Sequence, residues 1–360
     1  MLLLALTAGC NKPSEKEKDT PEDKPDTPEQ TVTVPDFARG ADVSWVSEME
    51  AGGKKFKKQD GTQADIFDVL KDVGINSIRL RVWVNPTGGW SGRDDCVALA
   101  KRATDAGLAV MIDFHYSDFF ADPSRQDYPK DWASDNGDIS KAIQHVKDHT
   151  ADVLGALKAA GVYPAWIQIG NETRNGFLWP LGMLWAAGNY KNPGGWGNFA
   201  MLYRAGYNAA KEVFPQALVM PHINNAYDDN DWWFKELKAR SCQFDAIAVS
   251  HYPQTNSKMT PEQMNANAIA RIKALSASYG VPVIVTEIGV KQGTEAESAA
   301  VLQQFMKEAV SVCKGVFYWE PEVYGWWKPA VYSSLGWNAY DMGAFTDDGR
   351  PSSIMNAFKQ

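Results

Sequence analysis

"DIFDVLKDVGINSIRLRVWV", Asp65 to Val84, is the stretch whose reading decides the fold. Its first half places Ile66, Val69, Leu70 and Val73 at i, i+3, i+4 and i+7, which gives a helix one apolar face. Gly74 follows at the position after the helix end, where a residue without Cβ takes the left-handed conformation cheaply. The second half, Ile75 to Val84, is rich in β-branched and large apolar residues and reads as one strand. The unit recurs: Cys96–Gly107 leads into Leu108–His115, and Ala151–Gly161 into Val162–Glu172. Alternating helices and buried strands imply a parallel sheet with right-handed crossovers.

Extended along the chain, the pattern predicts eight strands, at 38–45, 77–84, 109–115, 163–172, 217–224, 246–252, 282–287 and 315–321. A short helix from Ser353 to Phe358 is expected to cover the last of them. Eight βα units in about 320 residues are the arithmetic of a (β/α)8 TIM barrel forming a single α/β catalytic domain. A doubly wound open sheet is the alternative. It is disfavoured because no Gly-rich phosphate loop follows the first strand and polar residues cap nearly every strand.

The barrel domain is assigned to 36–360, with two short segments before it. Residues 1–10, "MLLLALTAGC", resemble the end of a bacterial lipoprotein signal, in which Cys10 would be acylated; an apolar N-terminus without that role is the alternative. Residues 11–35 are expected to be a disordered acidic, Pro-rich linker. Within 11–30 there are four Pro, four Lys and seven acidic residues and no large apolar side chain, too little to offset ordering entropy. Anchor and tether together imply an exported protein on an outer membrane or cell surface, joined to the membrane through Cys10. The net charge of −8, with no basic stretch, argues against nucleic acid as a partner. A monomer is expected. Cys96, Cys242 and Cys313 show no C-x-x-C spacing; one bridge between Cys242 and Cys313 is possible.

Two glutamates close apolar strands: Glu172 ends "AWIQIGNE" and Glu287 ends "PVIVTE". A carboxylate at the carboxyl end of a barrel strand faces the mouth where ligands bind. Either could merely brace a strand end, but two of them can do glycosidase work, one protonating the leaving oxygen and the other attacking the sugar carbon. The other predicted strand ends supply Asp42 and Trp45, Arg81 and Trp83, Asp113 and His115, Asn171, His222 and Asn224, His251 and Tyr252, and Trp319 and Glu320. Carboxylates for chemistry, Asn, His and Arg for hydroxyls, and aromatic faces for rings suit a sugar.

Metal hydrolysis is the competing chemistry, since His115, His222 and His251 could gather with Asp113. They come from three strands, and neither H-x-H nor H-E-x-x-H is present, so no metal and no cofactor are expected. His145 and His149 are four apart on a charged helix and read as a solvated face.

Five stretches carry a resemblance: "FARGADVSWVSEME", "DVGINSIRLRVWVNP", "DFHYSDFFADPSRQDYPKDW", "IQIGNETRNGFLWPLG" and "VFYWEPE". They are similar to the signature stretches of glycoside hydrolase family 53, the endo-β-1,4-galactanases, from Phe37 almost to the C-terminus. The resemblance implies a clan A barrel with retaining chemistry, Glu172 as acid/base and Glu287 as nucleophile, and β-1,4-galactan as substrate. It also implies that Arg81, His115, Asn171, His251 and Trp319 line the central sugar subsite, where strand-end position adds Asp42 and Tyr252. Arg81 would keep Glu287 ionised, and Asn171 would meet the 2-hydroxyl. Bacterial members often carry a calcium loop after strand seven, from which "GVKQGTEAESAA" departs, offering no run of ligands. Trp90, Trp132, Trp179 and Trp327, in or near predicted loops, are candidates for outer subsites. Another clan A hydrolase, such as a β-mannanase or β-galactosidase, would share both glutamates; a non-catalytic glycan-binding lipoprotein would have no reason to hold them.

Overall fold

Helices that pack on one face and strands buried on both are what the sequence dictates, and they assemble as a ring. The computed structural model describes residues 34–359 except 255, 292, 326, 328 and 334–340, so Cys10 and most of the linker lie outside the described residues. Eight parallel strands form the ring: β1 (Ala38–Asp42), β2 (Ser77–Val82), β3 (Ala109–Phe114), β4 (Trp166–Ile169), β5 (Leu218–Met220 with His222–Ile223), β6 (Ile247–His251), β7 (Val283–Ile288) and β8 (Gly315–Trp319). Each lies within, or within a residue of, its expected range.

β1 pairs with both β2 and β8, joining the first strand to the last. The ring closes at β5, and the reason is one residue. Pro221 has no N–H to give a ladder. Leu218–Met220 pairs with β4, and His222–Ile223 pairs with β6. The Pro221 carbonyl still accepts from the Ala248 N–H at 3.0 Å. One strand therefore hands over from one neighbour to the other in the middle of its length.

The helices α1 (Val46–Ala51) and α2 (Ile66–Asp72) both lie between β1 and β2, and α3 (Arg93–Asp105), α4 (Ile139–Ala159), α5 (Gly195–Val213), α6 (Asp231–Ala239), α7 (Pro261–Tyr279) and α8 (Glu295–Ala309) follow β2 to β7 in turn. Ile66, Val69 and Leu70 of α2 are buried as the spacing predicts. Past the helix end, Gly74 has φ +94°, and a Cβ there would stand 2.2 Å from the Phe358 carbonyl oxygen. That carbonyl belongs to the closing 3-10 turn, Ser353–Phe358.

Inside the ring the residues form layers. The floor is apolar and includes Ala38, Met111, Trp166, Met220, Ala248, Ile284 and Phe317. Phe317 meets Trp166 edge to face at 5.8 Å. Gly40 makes room for it, since a Cβ there would fall 2.0 Å from the Phe317 ring. Above this floor the inward positions turn polar: Asp42, Arg79, Asp113, Gln168, His222 and Ser250, all essentially without solvent exposure. That polar layer carries the site.

The cysteines do not pair. Cys96, Cys242 and Cys313 are free and buried, so the possible Cys242–Cys313 bridge is absent. Instead the Cys242 thiol faces the Ala200 carbonyl and that of Cys313 the Ala309 carbonyl. His145 and His149 also depart from expectation. They are half-buried. The His145 ring stacks on Trp132 at 4.9 Å, and the His149 ring meets Phe114 edge to face at 5.7 Å. The charged residues of α4 hid aromatic contacts supplied by the 3-10 turn just before the helix, Lys130–Asp135, and by the end of β3.

Candidate active site

Arg79 organises the mouth of the barrel. It lies two residues before Arg81 on β2, so both point inward, with Arg79 one layer deeper. Its Nη1 donates to Asp42 Oδ2 at 2.8 Å; its Nη2 donates to Asp113 Oδ2 and Asn171 Oδ1, each at 2.8 Å. The same Nη2 pairs with Glu287 Oε1 at 2.9 Å. A guanidinium fork suits several carboxylates at once, which an ammonium could not match.

Arg81, expected to hold Glu287, is engaged elsewhere. Its Nη1 bonds Glu320 Oε1 at 2.7 Å, and its guanidinium lies over the rings of Trp45, Trp83 and Phe120. The role assigned to Arg81 in fixing the Glu287 charge thus belongs to Arg79, although Arg81 still borders the cleft.

Glu287 leaves β7 with three donors on its carboxylate. Besides Arg79 on Oε1, Oε2 accepts from Tyr252 Oη at 2.8 Å and Ser250 Oγ at 3.2 Å. Glu172 follows β4 with φ +48°, a left-handed turn that costs a non-glycine residue energy and is found at functional positions. Its own N–H donates to His222 Nδ1 at 3.2 Å. His222 is therefore an acceptor at Nδ1 and carries its proton on Nε2, which faces Ser250 Oγ at 2.8 Å. Ser250 Oγ thus links His222 to Glu287, donating its own proton to Glu287 Oε2 at 3.2 Å.

The two carboxyls differ in environment. Burial, and then the neighbouring charge of Glu287, holds the Glu172 proton well above the usual carboxylate range. Burial also raises Glu287, but there Arg79 and the Tyr252 hydroxyl pull the other way. His222 stays neutral, since burial and Arg79 push its pKa well down. For Asp113, burial is overcome by Arg79 and His115, which hold it below its ordinary value. One neutral acid beside one braced carboxylate is what a double displacement at a sugar carbon requires.

A cavity of about 280 Å³ opens over this pair, lined by Asp42, Arg81, His115, Asn171, Tyr252 and Trp319 among others. Six of the seven expected substrate-binding residues are thus brought together. His115 is fixed: Nδ1 accepts from the Ala121 N–H at 3.0 Å, while Nε2 faces Asp113 at 2.9 Å. Asn171 Nδ2 donates to the Ala121 carbonyl at 2.7 Å. His251 is the exception. It is fully buried against the Phe305 ring, with Nε2 bonded to Asn265 Oδ1 at 2.8 Å, and is not among the cavity residues. The last residue of β6 points outward to α7 and α8, and its neighbours Ser250 and Tyr252 take the inward places.

Arg79 and Ser250 were missed as site residues. A signal for Arg79 was present: two Arg spaced by two in one buried strand both need acidic partners inside the barrel. Ser250 had none, for serine is common in strands. Among the described residues no group of three or more His, Cys, Asp or Glu is arranged to hold a metal ion.

A closed eight-stranded barrel with two unlike glutamates at the ends of its fourth and seventh strands defines a glycoside hydrolase scaffold. Comparison with known proteins narrows the class. The profile of Glycosyl hydrolase family 53 matches residues 38–358, and the chain belongs to that family. It is 31% identical to an arabinogalactan endo-β-1,4-galactanase of Thermothelomyces thermophilus, over 89% of this chain and 98% of the other. It is likewise 31% identical to an endo-β-1,4-galactanase of Bacillus subtilis, over 79% of this chain and 70% of that one. In structure it is similar to the family 53 catalytic domain of Ignisphaera aggregans, with a TM-score of 0.76 at 27% identity, covering 92% and 97% of the two chains.

Proposed function

We propose that the protein is an endo-β-1,4-galactanase that cleaves β-1,4-galactan, as in type I arabinogalactan, with retention of configuration. The observation that carries this is the unequal bracing of Glu172 and Glu287 around Arg79; the names of the family relatives support the substrate. Glu287 attacks the anomeric carbon while Glu172 gives its proton to the departing oxygen. Water then enters, loses a proton to Glu172 and releases the sugar from Glu287, restoring both groups. Asn171 keeps a second N–H for the 2-hydroxyl. Trp319 offers its ring to the galactose face that the axial O4 leaves apolar.

Galactan digestion tests the reading: viscosity should fall faster than reducing ends appear. Early release of monomeric galactose alone would indicate an exo-acting enzyme instead, and preference for mannan would sink the assignment. Glu287→Gly with azide should yield the α-glycosyl azide from an activated aryl galactoside, and Glu172→Ala the β-azide. Near-wild-type activity in either variant removes that residue from the mechanism.

The sequence "MLLLALTAGC" supports a second proposal, an exported lipoprotein held on an outer membrane or cell surface by acylated Cys10, acting as a monomer. The native protein should then enter a detergent phase, and Cys10→Ser should move it to the aqueous phase.

A further inference from the structure

Large apolar side chains are exposed at only a few described positions: Val34, Trp185, Trp232 and Val310. Single exposed hydrophobics need no explanation. Two adjacent tryptophans do. Trp185 and Trp232 are 42% and 40% exposed, lie in the loop after β4 and in the first turn of α6, and hold their rings 6.1 Å apart at 48°. The four tryptophans expected to serve outer subsites do not provide such a surface. Trp132 and Trp179 are buried, and Trp90 and Trp327 are half-buried.

The pair is also held rigidly, and by the turn that carries Glu172. Asn175 is buried and clamps Trp185 on both sides: its Oδ1 accepts from the Trp185 N–H at 2.9 Å, and its Nδ2 donates to the Trp185 carbonyl at 3.0 Å. The Arg174 carbonyl accepts from the Trp233 indole at 3.0 Å, fixing the start of α6 and with it Trp232. The Arg174 guanidinium lies 6.0 Å from the Trp232 ring and is itself held by Asp228 at 3.1 Å. Three residues of chain span at most ~11 Å, so these anchors stay within a few sugar rings of the acid.

From this geometry we infer that Trp185 and Trp232 form a binding platform for the leaving-group side of the galactan chain. The inference rests on the galactanase reading. Glu172 protonates the oxygen of the departing sugar, so that sugar lies on the Glu172 side of the cleft, where the platform stands; Trp319, on β8, serves the sugar that stays on Glu287. The tilt between the indoles fits the polymer. An axial O4 turns a β-1,4-galactan chain at every linkage, so consecutive rings present faces in different directions, and two inclined indoles can meet them. A flat ribbon such as cellulose would meet only one. Binding energy gained there, remote from the reacting bond, can be used at the reacting centre.

The test compares wild type, Trp185→Ala, Trp232→Ala and the double variant on galactan, with an aryl galactoside as reference. That reference has no sugar on the leaving-group side. The ratio of kcat/KM for galactan to that for the aryl galactoside should fall about tenfold per tryptophan, equivalent to roughly 1.4 kcal/mol of transition-state binding. Restoring an aromatic face with Trp232→Tyr should recover most of the ratio. An unchanged ratio, or an equal fall on both substrates, would overturn the platform while leaving the galactanase reading intact. A wild-type enzyme that does not cleave galactan would overturn the functional reading first, and the platform with it.

Discussion

Glu320 shows what a single buried group does to the whole. It follows Trp319 with φ +54°, accepts from Arg81, and has no solvent exposure. Burial, only partly offset by Arg81, pushes its pKa from the ordinary 4.5 to about 8. Below pH 4.5 both folded and unfolded chains hold this proton, and its stabilising effect is complete. Between pH 4.5 and about 8 the unfolded chain has released the proton while the folded chain keeps it. Stability therefore falls as pH rises through that window, by up to several kcal/mol. Glu322, also buried, acts in the same direction. Glu320→Gln should flatten the decline: urea unfolding at pH 5 and pH 8 should show a smaller loss in the variant. Equal losses would mean that Glu320 is ionised in the folded protein. The same physics applies to activity, which should be lost as pH rises through the elevated pKa of Glu172.

At the scale of elements, the helix-to-strand periodicity was enough to place all eight strands, because burial on two faces imposes composition directly. What it could not resolve was direction within a strand end. His251 looked like a mouth residue by position alone, yet the alternation that turns Ser250 and Tyr252 inward turns it outward. Arg79 and Arg81 share a face, and which one meets Glu287 depends on depth in the barrel, a property of the register between strands. Gly40 on β1 is another case where a neighbouring strand decides. Its Cβ-less backbone accommodates Phe317 from β8, so Gly40→Ala should destabilise by about 1–3 kcal/mol through overpacking, read as a lower urea midpoint. Gly40→Ala combined with Phe317→Leu should recover part of that loss. A fully wild-type midpoint for the single variant would show that the floor of the barrel yields without cost.

For the whole molecule, the segment after β7 leads into α8 through a Thr294–Glu297 capping box, in which the Glu297 carboxylate is already taken by the Thr294 backbone N–H. Chelation with EDTA should therefore change neither melting temperature nor rate; a drop of several degrees reversed by calcium would show a cation holding this part of the barrel. The handover at Pro221 has a consequence of another kind. An open parallel sheet always ends in two strands whose outer N–H and C=O groups seek a partner, and these recruit neighbouring chains. Because β5 bonds to β4 with one half and to β6 with the other, the barrel has no such terminal strand. Many copies crowded side by side on a surface, as the proposed lipid anchor would arrange them, could collide repeatedly without any barrel strand offering a template for aggregation.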